Sequence, residues 1–174
     1  MNIKMTSQIR ALGVYVAVGL GVLSLGVMQP ATADAAAHGS LTGTWRVQVQ
    51  QYECATDIPI GLPFASFLTF GSDRTLVETT ANPTFEPGQR SAGHGFWNRT
   101  GRDDFRAVSE AFIIFASPAR GPIPAFSAGR QRIEQNIEYA GGDTFKADAI
   151  VEFTDPSGTV LRSGCARASA ARME

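Results

Sequence analysis

Between residues 44 and 168 apolar and polar side chains alternate with a period of two, in runs at about 44–53, 64–70, 75–81, 95–100, 104–115, 126–140, 144–154 and 159–168. That period places successive side chains on opposite faces, so each run predicts a β-strand with one buried face. Turn formers separate the runs, among them Ile58-Pro59-Ile60-Gly61-Leu62-Pro63, Gly71-Ser72-Asp73, Glu86-Pro87-Gly88, Gly141-Gly142-Asp143 and Asp155-Pro156-Ser157-Gly158. No stretch carries the spacing of a long amphipathic helix. Eight strands joined mostly by short connections favour antiparallel pairing in sequence order. The expected fold is all-β, an eight-stranded antiparallel up-and-down barrel, which closes without leaving an edge. A two-sheet sandwich is the rival; the long run at 126–140 and the lack of a Cys-Trp-Cys spacing favour the barrel.

The alternation also assigns faces. In the fifth run Phe105, Ala107, Ser109, Ala111, Ile113 and Phe115 share a face, against Arg106 and Glu110. In the seventh, Phe145, Ala147, Ala149, Val151 and Phe153 oppose Lys146, Asp148 and Glu152. Large residues at the ends and small ones between them predict space at mid-height, and eight strands make a barrel wide enough for one small ligand. Filling of that space by large side chains across the barrel is the alternative. In the sixth run Gln131 and Gln135 would point inward with Ile133, Ile137 and Tyr139, and a buried amide needs a partner. The candidate ligand-binding residues are therefore Trp97, Phe105, Ala107, Ser109, Ala111, Gln131, Gln135, Ala147 and Ala149.

Gly43-Thr44-Trp45, followed by the alternating Arg46-Val47-Gln48-Val49, resembles the G-x-W motif that opens the first strand of the lipocalins and the wider calycin group. The resemblance implies that Trp45 plugs the closed end of a barrel and that an arginine near the C-terminus packs across it, with Arg167 the first candidate and Arg172 the second. A T-D-Y motif and a C-terminal helix are absent, which keeps the resemblance at the level of a lipocalin-like barrel. The short eight-stranded pattern is also similar in architecture to the allene oxide cyclase barrels.

The N-terminus speaks to compartment. Lys4 and Arg10 precede the uncharged apolar run Ala11–Met28, and Ala31-Thr32-Ala33 offers the small-x-small pattern of a cleavage site. The expected organisation is a signal peptide at 1–33, a leader at 34–40 and a single barrel domain at 41–174. An uncleaved anchor is the alternative reading of the apolar run, and this segment is the only expected contact with a membrane. The expected location is secreted or periplasmic. Cys54 and Cys165 are the only cysteines, and an oxidising compartment would let them pair rather than remain two buried thiols.

Charge and motif content narrow the chemistry. Without Lys4 and Arg10 the remaining chain carries thirteen basic against sixteen acidic residues and no basic stripe, which argues against nucleic acid as a partner. His38 falls in the leader, and two distant cysteines make no zinc site, so neither a metal nor another cofactor is expected. That leaves His94, in Ser91-Ala92-Gly93-His94-Gly95, as the single histidine of the expected barrel. Placed at a rim, it would act as general acid or base with Glu78, Tyr139 or Arg90 as companions. The plainer alternative is a histidine that caps a glycine turn.

Three functions fit these observations: an exported barrel holding a small, mainly apolar molecule in its lumen; a cofactor-free isomerase, cyclase or lyase acting on an apolar substrate there; and a structural or partner-binding exported domain with a filled core.

Overall fold

Strand β1 (Gly43–Tyr52) pairs along one edge with β2 (Pro59–Phe70) and along the other with β8 (Val160–Arg172), so the first and last strands meet. Between them run β3 (Thr75–Thr80), β4 (Gly93–Arg99), β5 (Asp104–Ile113), β6 (Gly129–Gly141) and β7 (Thr144–Thr154). Each strand pairs antiparallel with its neighbour in sequence, giving the closed order β1-β2-β3-β4-β5-β6-β7-β8. The protein is an all-β, eight-stranded up-and-down barrel. The structure, a computed structural model, describes residues 39–115 and 128–174. The signal peptide expected at 1–33, most of the leader at 34–40 and the expected start of the sixth strand at 126 lie outside the described residues. Among the described residues no helix is long and apolar enough to cross a membrane.

Strand ends differ from the sequence expectation where local chemistry is a poor guide. β2 starts at Pro59 rather than 64, because the Gly61-Leu62-Pro63 stretch is accommodated inside the strand. The register jumps from Val49↔Phe64 to Gln51↔Ile60, a bulge that lets Pro63 sit where no ladder donor is required. The Gln50 side chain donates to the Ile60 carbonyl at 3.1 Å across that bulge. β8 continues to Arg172 rather than stopping at 168. Its alanine-rich end has little intrinsic strand preference, but it is paired on both sides, with β1 and with β7.

The barrel is sealed at the end where β1 starts. Leu41, Trp45, Phe70, Leu76, Phe105, Ile137 and Phe145 are buried there as one cluster, with Trp97 and Tyr139 packed against it. Trp45 lies 4.9 Å from the Phe145 ring centroid and edge-on to Tyr139 at 6.3 Å, and its indole N–H donates to the Leu41 carbonyl at 2.7 Å. Arg172 spreads its guanidinium 4.2 Å above the Trp45 ring, a cation–π contact. It also donates to the Ser40 and Thr42 carbonyls and to Asp143. Arg172, not Arg167, therefore takes the position across Trp45. The period of two explains the correction: Ala166, Ala168, Ala170 and Arg172 share the inner face of β8, which turns Arg167 outward to Asp57 and Asp148.

The disulfide expected between Cys54 and Cys165 is present, with Cα atoms 5.2 Å apart. Cys54 follows β1 directly and Cys165 pairs with Tyr52, so the bond fastens the β1–β8 seam at the end opposite Trp45.

Candidate ligand site in the lumen

Above the apolar floor the inner face turns polar. On β3 the alternation buries Leu76 in the floor and Glu78 one step higher. Gln131 and Gln135 reach inward from β6 and are also buried. The long connection between β3 and β4 supplies the counter-charge. Its fold is fixed by short-range bonds: Asn82 Oδ1 accepts from the Thr84 N–H at 2.9 Å, and Gln89 Oε1 accepts from the Glu86 N–H at 2.9 Å. The connection then returns to the sheet by an antiparallel bridge, Arg90↔Ile113, which directs the Arg90 side chain into the barrel.

There Arg90 Nη2 lies 2.5 Å from Glu78 Oε2, with the two side chains only 3% and 5% exposed. Arg90 also donates from Nε to Gln131 Oε1 and from Nη1 to the Ser91 carbonyl. A buried ion pair is strongly coupled to its surroundings: removing one partner strands the other charge, which costs about 3–5 kcal/mol. Gly93 is part of this arrangement, since a Cβ there would come within 2.5 Å of Glu78 Oε2. Gly95 lets the β5 backbone approach, a Cβ there falling 1.8 Å from the Val108 carbonyl. The two glycines thus serve close packing inside β4 and not a turn.

Glu78, Gln131 and Gln135 line a chamber of about 60 Å³, with Val47, Leu68 and Ala168 among its apolar walls. Gln51, Asn82 and Val151 belong both to this chamber and to a second cavity of about 380 Å³ at the barrel mouth, where Ile60 and Phe153 add apolar surface. Phe85, from the β3–β4 connection, also lines the chamber. It stacks at 6.4 Å on Phe153, which carries the Arg162 guanidinium on its ring at 3.9 Å.

Of the ligand-binding candidates, Gln131, Gln135 and Ala149 line the chamber. Phe105, Ala107 and Ala147 belong to the floor cluster, with Trp97 packed against it, where Trp45 and Phe70 fill the space expected at mid-height. Ser109 and Ala111 are buried but do not line the chamber, and Ser109 Oγ has no hydrogen-bond partner among the described residues. The three catalytic candidates are not brought together. Glu78 is in the chamber, Tyr139 packs on Trp45 in the floor, and His94 is exposed. His94 corrects the expectation of a rim acid or base: it lies within β4 between two inward glycines, so alternation turns it outward beside Val77 and Glu110. Phe85 escaped the sequence reading because a lone phenylalanine in a loop carries no periodic signal. Among the described residues no group of three His, Cys, Asp or Glu is placed to hold a metal ion.

No protein-family model and no curated protein matches this chain. Among solved structures it is similar to EF1p2_mFAP2b bound to DFHBI, at 17% sequence identity and a TM-score of 0.48, over 76% of this chain and 94% of that one.

Proposed function

We propose that this protein is an exported carrier that holds a small, mainly apolar molecule in the barrel lumen. The observation that carries the proposal is the adjoining pair of spaces, a chamber of about 60 Å³ inside a mouth cavity of about 380 Å³. The outer one falls in the range of small-molecule sites, roughly 300–1,000 Å³, and mixes apolar walls with a few fixed polar groups as such sites do. Export is supported by the Cys54–Cys165 bond and by the signal-like residues 1–33, with residues 41–174 as the mature barrel domain. A lipocalin-like, calycin-type barrel is supported by Gly43-Thr44-Trp45 at the start of β1 and by Arg172 across the Trp45 ring. The carrier is favoured over a proton-transfer enzyme because Glu78 alone of the three catalytic candidates faces the chamber, with a carboxylate engaged by Arg90.

Native mass spectrometry of the protein purified from its own host, before and after mild organic extraction, tests the proposal. A bound small molecule that extraction removes is expected. A clean protein mass, together with no binding of an apolar fluorescent probe, would overturn it.

A further inference from the structure

The polar wall of the chamber specifies the chemistry of what it holds. Glu78 and Arg90 bring one charge of each sign and neutralise each other at 2.5 Å. Two other Arg90 nitrogens are engaged by Gln131 and the Ser91 carbonyl. Arg167, the cation that borders the chamber itself, is directed outward to Asp57 at 2.7 Å and Asp148 at 3.3 Å. A charged ligand group entering the chamber would therefore meet no unpaired counter-charge, and an ion buried without one is strongly disfavoured.

Gln135 differs from its neighbours. It is only 5% exposed and lines the chamber, and its carboxamide makes no hydrogen bond to any described residue. A carboxamide presents a donor and an acceptor side by side. The uncharged group that answers both at once is another amide, joined to it by two parallel hydrogen bonds. A carboxylic acid has the same outline but is ionised at neutral pH.

We propose that the chamber receives the uncharged amide head, a primary carboxamide or a lactam, of a ligand whose apolar remainder lies in the mouth against Ile60, Val151 and Phe153. The proposal rests on the carrier reading above and names its ligand class.

The test titrates the disulfide-bonded protein with hexanamide, hexanoate and hexylammonium, which share one tail. Binding is followed by calorimetry and by NMR of the side-chain amide groups. Hexanamide is expected to bind about tenfold or more tighter than either ion, a margin that two modest hydrogen bonds supply, and to shift the Gln135 NH₂ resonances. Gln135→Leu is expected to abolish that margin while the melting temperature of the free protein holds, since the carboxamide faces the chamber and its removal strands no partner among the described residues. Gln135→Met serves the same purpose if the leucine variant does not fold. Equal or tighter binding of hexanoate or hexylammonium would overturn the amide assignment and leave the carrier reading standing. Unchanged hexanamide binding by both variants would overturn the role of Gln135. Failure of all three compounds, with a clean native mass, would remove both readings together.

Discussion

The two ends of the barrel are built on opposite principles. At the floor, Trp45, Phe70, Phe105 and Phe145 fill the lumen with rings, and the charges near them, Arg172 over Trp45 and Arg99 over Phe105, lie against ring faces. In the upper half the same inner face carries Glu78, Gln131 and Gln135 and is closed by the incoming Arg90. The floor is held by apolar area and close packing, which tolerate loss of a ring badly but make no demand for a partner. The Arg90, Glu78 and Gln131 side chains of the upper half are held by mutual satisfaction, in which each group is costly without the other. Space for a ligand follows from this difference. Rings interdigitate and leave no gap, whereas a network fixed by hydrogen-bond geometry stands off from the facing wall.

The sharpest way to break the comparison is to remove one member at each end. Glu78→Leu should cost about 3–5 kcal/mol by stranding Arg90, and chemical denaturation should show most of it recovered in the double variant Glu78→Leu/Arg90→Leu. Trp45→Ala should cost a similar 3–5 kcal/mol in the same assay, with no second substitution able to restore it. Reduction of the Cys54–Cys165 bond comes next. With the cysteines 111 positions apart in sequence, its loss should cost about 2–5 kcal/mol, read as a fall in melting temperature under reductant. Ser109→Ala should leave stability unchanged or raise it by roughly 1 kcal/mol, because it removes a buried hydroxyl that has no partner among the described residues. His94→Ala, on the outer face, should move stability by no more than about 0.5 kcal/mol and leave ligand binding untouched, whereas lost binding would return His94 to the site.

The barrel was legible in the chain because its signal is the period of two, which sets the inner faces of Phe105 to Ile113 and Phe145 to Phe153, although Val108 on the opposite face of β5 is buried as well. Face assignment followed from the same period, so Gln131 and Gln135 were identifiable as inward residues from the sequence alone. Height along the barrel was not legible. Whether Ala107 and Ala147 border a cavity or a tryptophan depends on the stagger between strands, which alternation within one strand does not encode. Gly93 and Gly95 misled for a related reason. Their value lies in the Glu78 carboxylate and the β5 backbone that approach them, contacts set by other strands. The Arg90–Glu78 pair was anticipated only as loose company for His94, since nothing local announces that a loop arginine will turn inward.

The β1–β8 seam has a consequence for how the chain reaches this state. In a chain made from its N-terminus, β1 is the first strand available, yet one of its two partners is the last, Val160–Arg172. Until that segment arrives, β1 shows a row of unpaired amides and carbonyls, and Trp45 lacks the arginine that lies over it. An open edge of this kind invites pairing with another molecule. The order of synthesis therefore makes the last strand a gatekeeper against aggregation: variants that weaken Ala166–Arg172 should lower soluble yield by more than their effect on the finished barrel would suggest.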